Sequence, residues 1–370
     1  MAFAPIQQLL SLDIWSLLGP TKQLLGLDIG SSAIKLVQMK EQKGRYILQK
    51  FGIKPLEPEV IVDGTVMDAA RVVTAIKDLL KEAEVKLKNV AMSISGHSVI
   101  VKKIALPPVP DDELEMQVML AAEQYIPFDI NEVNLDFHVL NPLEQSDDGQ
   151  PQISVLLVAA KKEKVNELAE LVKGAGLTPL VLDVDAFAIE NMYGINYEVN
   201  PEEIVTLVNI GASVMNVNIL KGATSLFTRD ISIGGNRYTE SIQRELGVSY
   251  EEAEAAKRGE RREGLDPEAV TTVIEGVNAE VASEIARSVD YFKSTYTDGE
   301  VSRILMCGGC AKVSGLMPQL KERMGGTVEL ANPFSRVDTT TSGLDHEFLA
   351  EAALQAAVGV GLALRTVGDR

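Results

Sequence analysis

Cysteine is nearly missing from this chain: only two of its 370 residues are cysteine, both inside Cys307-Gly-Gly-Cys310. That excludes a disulfide framework and makes a reducing cytoplasm the simplest home. Two thiols leave a zinc site half filled, and no small redox domain surrounds them to favour a thioredoxin-like reading. Basic charge is also short, with 35 Lys+Arg against 53 Asp+Glu and a formal net charge of −18. A surface this acidic argues against nucleic acid as a partner and against electrostatic adhesion to anionic lipid. The histidines, His97, His138 and His346, have no metal or catalytic spacing, and no Ser/His/Asp order or nucleophile elbow is visible. The first 21 residues contain no Lys or Arg, and Gln7, Gln8 and Asp13 break their apolar stretch, so no secretory signal is expected. The Ala-rich run near the C-terminus carries Glu351 and Gln355. It is too short for a span of about 20 apolar residues, so a buried helix is expected there.

What is present is a well-cored composition, 46% hydrophobic with a mean hydropathy of +0.07, in a chain long enough for two or more packed domains. Two stretches say the same thing about 180 residues apart: LLGLDIGSSAIKLVQ around Asp28 and VTLVNIGASVMNVNI around Asn209. Each reads as an apolar strand, a tight turn opened by Gly, and a second alternating strand. Such a hairpin turn presents backbone N–H groups and small side chains where a phosphate can sit. Gly30 permits close approach without a Cβ, and Ser31 and Ser32 offer donors. Lys35 reaches back as a point charge, and Asp28 is suited to hold the water shell of Mg²⁺. For one copy, an ordinary Gly-Ser hairpin explains as much; the second copy points to two similar lobes gripping one polyphosphate. In that copy Asn209 and Ala212 stand where the first has Asp and Ser. Asn keeps the hydrogen bonding but not the charge, so weak hydrolysis is expected.

Along the chain, residues 3–18 place Ile6, Leu9, Leu10, Ile14 and Leu17 at helical spacing, for an amphipathic helix that either meets a membrane or partner or packs on the body. Residues 23–55 read as three strands, Asp68–Leu87 as a helix and Val90–Ser95 as a strand. Residues 97–175 run strand, helix, strand, acidic loop, strand, helix, as a self-contained α+β insertion. Strand and helix return at Pro179–Tyr193, and the second hairpin occupies 204–230. Residues 245–265 read as charge-rich and helical. Asp266 and Pro267 are a start signal for a long helix with Val270, Ile274, Val277, Val281, Ile285 and Phe292 on one stripe. Glu254 and Lys257 share a helix face at i, i+3, either simply solvated or reaching a ribose and base. In ILMCGGCAKVSGL a strand, a Gly-Gly turn and a helix follow one another. That reads either as a plain junction or as backbone laid against a flat base beside a helix N-terminus.

From about residue 22 onward this order of elements resembles the actin-like ATPase superfamily. The segment KKIALPPVPDDELEMQVMLAAEQYIPFDINEVNLDFHVL resembles the PilM family of type IV pilus assembly proteins more than the related cell-division FtsA family. FtsA normally ends in a linker and a basic membrane helix, whereas this chain stops at LALRTVGDR. The resemblance implies an α/β fold of two lobes closing on ATP and Mg²⁺, with an inserted domain of the type called 1C. Residues 1–21 then form an N-terminal segment, and 22–96, 176–203 and 331–370 form subdomain 1A. The 1C insertion takes 97–175, subdomain 2A takes 204–236 and 299–330, and subdomain 2B takes 237–298.

By the same resemblance, Asp28, Gly30, Ser31, Ser32 and Lys35 match the first phosphate loop, and Asn209, Gly211, Ala212 and Ser213 the second. Gly234 and Gly235 match a turn beneath the nucleotide, Glu254 and Lys257 a pair beside ribose and base, and Gly308, Gly309 and Lys312 an adenosine loop. Asp185 falls near the acid that relatives use on the attacking water. The implied role is a cytoplasmic ATP-binding scaffold with at most slow turnover, held at the inner membrane through partners. It would bind the N-terminal cytoplasmic tail of PilN through the insertion, with Tyr125 and Phe128 as candidate contacts or simply as core. Other inner-membrane pilus proteins, motor ATPases and self-association are further expectations. A polymerising FtsA-like protein and a kinase-like phosphotransferase are the alternatives.

Overall fold

The computed structural model describes residues 23–145, 149–296 and 299–368; the helix expected at the N-terminus lies outside them. Strands β1 (Leu25–Ile29), β2 (Ala33–Gln42) and β3 (Arg45–Pro55) form a meander, followed by a small hairpin, β4 (Ile61–Val62) and β5 (Thr65–Val66). Helix α1 (Ala69–Glu82) is capped by the Asp68 carboxylate, which accepts from the Arg71 N–H. It stops five residues short of the predicted Leu87, because Glu84 takes a left-handed backbone with φ of 52°. Strand β6 (Asn89–Ile94) leads into the insertion: β7 (Val99–Leu106), α2 (Asp111–Tyr125), β8 (Val133–Gln145) and β9 (Pro151–Lys161). Then come α3 (Lys162–Gly174), β10 (Thr178–Val184) and α4 (Asp185–Asn196).

The second half begins with β11 (Ile204–Ile210), β12 (Met215–Lys221) and β13 (Thr224–Ile231). Helices α5 (Gly235–Leu246), α6 (Tyr250–Lys257) and α7 (Pro267–Thr295) follow. The helical reading of 245–265 survives as the end of α5 and as α6, since Gly247, Gly259 and Gly264, all at positive φ, break the rest. All six residues of the predicted α7 stripe are buried, and Asp266 caps the helix by accepting from the Glu268 N–H. The chain closes with β14 (Val301–Cys307), α8 (Leu316–Met324), β15 (Thr327–Leu330), β16 (Val337–Asp338), α9 (His346–Ala352) and α10 (Ala357–Ala363).

The sheets repeat one plan. The first has the order β10-β6-β1-β2-β3-β16, and the second has β15-β14-β11-β12-β13. In each, the strand before the tight turn pairs antiparallel with its successor and parallel with a later strand on its other side. The insertion forms its own sheet, β7-β9-β8, closed by α2 over Ile104, Val118, Ala122, Val155 and Leu157. Helix α3 falls within the expected 97–175 insertion, yet its buried Leu168, Leu171 and Val172 pack into the first lobe's core with Val72, Ile76 and Leu79 of α1.

Between the lobes, α4 and α10 cross. Every residue of α10 is buried, as expected of the Ala-rich run. A Cβ on Gly361 would strike the backbone carbonyl of Ala188, and one on Gly26 would strike that of Gly359. The crossing is main chain against main chain. Among the described residues no helix is long and apolar enough to cross a membrane.

Candidate functional site

The two turns face each other across one cleft of about 700 Å³. Both are closed by the same bond: Gly30 N–H donates to Ala33 C=O at 3.1 Å, and Gly211 N–H to Val214 C=O at 3.0 Å. Strand register decides what flanks them. Asp28 lies opposite Lys35, and their side chains form an ion pair at 3.2 Å. Asn209 lies opposite Asn216 at the equivalent place and donates to it at 2.8 Å. A Cβ on Gly30 would come within 2.9 Å of the Lys35 ammonium, so glycine there leaves the cation free to lie over the turn.

The cleft is lined by Asp28, Gly30, Ser31, Ser32, Lys35, Asp185, Asn209, Gly211, Ala212, Ser213, Gly308 and Gly309, twelve positions drawn from four distant stretches of sequence. Asp185 opens α4 and accepts hydrogen bonds from Ser93 and Ser95 at the end of β6. Burial, and secondly the Asp28 carboxylate, push its pKa up to about 6, against the pull of those two hydroxyls. An acid of this kind is ionised yet basic near neutral pH, which suits a group that takes a proton from water.

Other expected residues stand behind the cleft wall. Gly235 N–H donates to Gly211 C=O at 2.9 Å and Asn236 N–H to Ala212 C=O at 2.8 Å, so the Gly234-Gly235 turn braces the second loop. A Cβ on Gly234 would lie 2.5 Å from the Ala212 carbonyl oxygen. Glu254 and Lys257 pair with each other at 2.5 Å, and Lys257 also donates to Gly235 C=O at 3.3 Å. Lys312 turns its ammonium to the Glu351 carbonyl at 2.9 Å, at the end of α9. The Gly-Gly turn does not open an α-helix: Gly308, at φ of 87°, leads into a single 3₁₀ turn, Gly309–Lys312, and α8 starts only after Gly315. The Gly308 N–H is already used by Leu354 C=O at 2.9 Å, so no helix N-terminus points into the cleft from this junction. Burial pushes the Cys307 thiol up to about 12 and raises Cys310 too, which leaves neither sulfur as a nucleophile.

Sequence reasoning missed Ser93, Ser95, Gly96, His97, Asn216 and Gln355, all of which line the cleft. Only Asn216 left a signal, as the first of two buried asparagines two apart in MNVN. A second groove of about 490 Å³ lies between the insertion, the first lobe and β13, bounded by Ile100, Pro127, Phe128, Val184, Ala186 and Thr228. Phe128 is half-buried against the insertion's core, with the Lys161 ammonium 4.4 Å from its ring centroid. Tyr125 is 38% exposed and stands outside both cavities.

The donor set fits a nucleotide polyphosphate with a magnesium ion. A cation and N–H-rich turns converge from both lobes, and Asp28 offers one carboxylate. Among the described residues no cluster of three or more His, Cys, Asp or Glu is placed to hold a metal by protein ligands alone. That is how Mg²⁺ is usually held, through water, phosphate and one or two carboxylates.

Comparison with known proteins places these features in a family. A family model described as type IV pilus assembly protein PilM matches residues 26–367. The solved structure of a PilM-PilN type IV pilus biogenesis complex is similar at 32% identity and a TM-score of 0.82, covering 95% of this chain and 100% of that one. EutJ, an ethanolamine utilization protein from Carboxydothermus hydrogenoformans, shares the fold at 17% identity and a TM-score of 0.57, over 94% of this chain and 90% of its own. Cell division protein FtsA of Streptococcus pneumoniae serotype 2 (strain D39 / NCTC 7466) is 23% identical over 252 residues, 63% of this chain and 54% of FtsA. The chain thus spans about half the length of that curated relative.

Proposed function

The chain belongs to the type IV pilus assembly protein PilM family and has the two-lobed actin-like fold with a 1C-type insertion, and from that premise we propose that it is an ATP-binding scaffold that holds the cytoplasmic tail of PilN. The observation that carries the nucleotide half is the pair of matched turns facing one cleft, one flanked by Asp28 and Lys35 and the other by Asn209 and Asn216. In this reading the phosphates lie between Gly30–Ser32 and Gly211–Ser213, and Lys35 offsets their charge. Asp28 would hold Mg²⁺ through water, and the ion, when bound, would neutralise phosphate oxygens. Asp185 is the candidate base for an attacking water. With amides rather than carboxylates on the second jaw, turnover is slow and the nucleotide acts as a structural or switching ligand.

The partner half rests on the groove beside Phe128. It is apolar at Ile100, Pro127, Phe128, Val184 and Ala186, with Lys161 and Asp230 as its charged members. An extended peptide with apolar side chains suits it. The similar solved structure is a PilM-PilN complex, which favours the PilN tail as occupant; in this reading that partner would hold the protein at the inner membrane. A tail disordered when free gives up part of its contact energy to ordering, so micromolar affinity is expected.

The test has two arms. Protein purified without added nucleotide is denatured and its supernatant chromatographed for ATP and ADP. Fluorescence anisotropy then follows a synthetic peptide of the PilN tail. Co-purified or titratable ATP together with micromolar peptide binding supports the reading. No nucleotide binding sinks the first half, and no peptide binding by the folded protein sinks the second.

A further inference from the structure

An unbroken run of hydrogen bonds joins the cleft to the groove. Asn209 donates to Asn216 at 2.8 Å, and Asn216 donates to one oxygen of Asp230 at 2.8 Å. The other Asp230 oxygen accepts the Gly96 N–H at 2.5 Å. Asn209 and Asn216 line the cleft, Asp230 lines the groove and Gly96 lines both. The run has a direction. An ionised Asp230 only accepts, so Asn216 must turn its NH₂ to it and its carbonyl to Asn209.

The last bond crosses between lobes. Asp230 sits near the end of β13 in the second lobe. Gly96 sits in the link from β6 to β7, where the chain leaves the first lobe for the insertion, at φ of 77°. Two residues beyond Asp230, Ser232 makes a second crossing contact, its Oγ 2.7 Å from His97 Nε2. These contacts exist only while the lobes stand close. The groove has the same dependence, since Val184 and Ala186 come from the first lobe and Thr228 from the second.

Resting on the reading above, we propose that Asp230 is a positioning residue that couples the two sites, so that nucleotide in the cleft tightens peptide in the groove. A nucleotide held by both turns favours the closed lobes. Closure keeps the amides aligned on Asp230, and Asp230 fixes the root of the insertion through Gly96. One two-state element, lobe closure, is thereby biased from both sites, which is the physical requirement for coupling. By linkage the peptide must tighten the nucleotide by the same factor.

The experiment is anisotropy with the synthetic PilN-tail peptide, with and without saturating ATP and Mg²⁺, on the full chain, Asp230→Asn and Asn216→Leu. Asp230→Asn replaces one acceptor oxygen by a donor, so it cannot serve both Asn216 and Gly96. Asn216→Leu cuts the run without touching the groove and decides the matter if the first variant does not fold. Nucleotide should tighten the parent's peptide binding about fivefold or more, the usual lower range of coupling, and by less than about twofold in either folded variant. Parent protein that binds both ligands with a ratio of one overturns the coupling and leaves the functional reading intact. So does a folded Asp230→Asn or Asn216→Leu that keeps the parent's ratio. Parent protein that binds neither ligand overturns the functional reading and this inference with it.

Discussion

In the first lobe, strand register sets Asp28 across from Lys35; in the second, the same register sets Asn209 across from Asn216. Turn, closing hydrogen bond and sheet order agree between the two, so the difference in side chains is a difference of task. The charged pair is partly open to solvent, at 14% and 13%. Either member can turn to a ligand and keep some hydration. The amide pair is more buried, Asn209 at 9% and above all Asn216 at 2%. A carboxylate in place of Asn209 would set oxygen against oxygen in the run Asn209–Asn216–Asp230. One jaw therefore carries the charge that meets phosphate and metal, and the other carries neutral donors that set position.

The largest effect should come from removing the charge of the first jaw. Asp28→Ala or Lys35→Ala should weaken ATP-Mg²⁺ binding about 100-fold or more in calorimetry, roughly 3 kcal/mol. If both variants bind as tightly as the parent, the two jaws do not differ in the way described. The brace of the second jaw comes next. Gly234→Ala puts a methyl 2.5 Å from the Ala212 carbonyl oxygen. It should lower the unfolding free energy by about 2–3 kcal/mol in urea titrations, the usual scale of overpacking. Main chain crowds the first jaw less: on Gly30→Ala the new methyl meets the movable end of Lys35 at 2.9 Å and the Ala33 carbonyl oxygen at 3.2 Å, so the cost should be clearly less.

Asp185 belongs to neither hairpin and reports on the charge between them. Its pKa of about 6 lies above the ordinary 3.8, so between those values the folded chain holds a proton that the unfolded chain has released. Its contribution is thus stabilising below about pH 4, falls as pH rises through that window, and is level above about pH 6. Asp185→Asn should remove this slope, and the variant should gain on the parent by about 1–2 kcal/mol between pH 4.5 and pH 7 in denaturant titrations. An unchanged difference at the two values would show that Asp185 is not held protonated by its surroundings. The smallest effect concerns charge on the second jaw. Asn209→Asp faces the Asn216 carbonyl with a carboxylate, or forces Asn216 to turn and face Asp230 with its own oxygen. A loss of about 1 kcal/mol in thermal or urea unfolding is expected, the scale of one broken hydrogen bond; no loss would mean that the amides are not ordered as described.

Both hairpins were legible because everything they need is local: two alternating strands, a glycine and small residues within 15 positions. The long helix α7 was legible for the same reason, through Asp266, Pro267 and its stripe. Ser93, Ser95, Gly96 and Asp230 gave no sign, since their roles come from β6 lying beside β1 and from β13 ending near the root of the insertion. Such placements are made by sheet order, which no short stretch encodes. The packing of α3 is not legible for the same cause: its buried face is amphipathic in the ordinary way, and only the tertiary fold joins it to the core beneath α1. Lys312 matched a ligand loop by position, yet its reach to the α9 carbonyls depends on a helix 39 residues further along the chain.

The crossing of α4 and α10 has a consequence for how such a protein changes over generations. Gly361 rests on the carbonyl of Ala188 with no side chain between them. A seat made of main chain has no rotamers to rearrange and little to lose when neighbouring residues are exchanged, short of a change at the glycine itself. The outer faces of either lobe and the whole insertion can then be rewritten for new companions while the axis between the jaws stays where it was. Gly361 works like the pin of a pair of pliers: the handles can be recast many times, provided nothing is added at the pin.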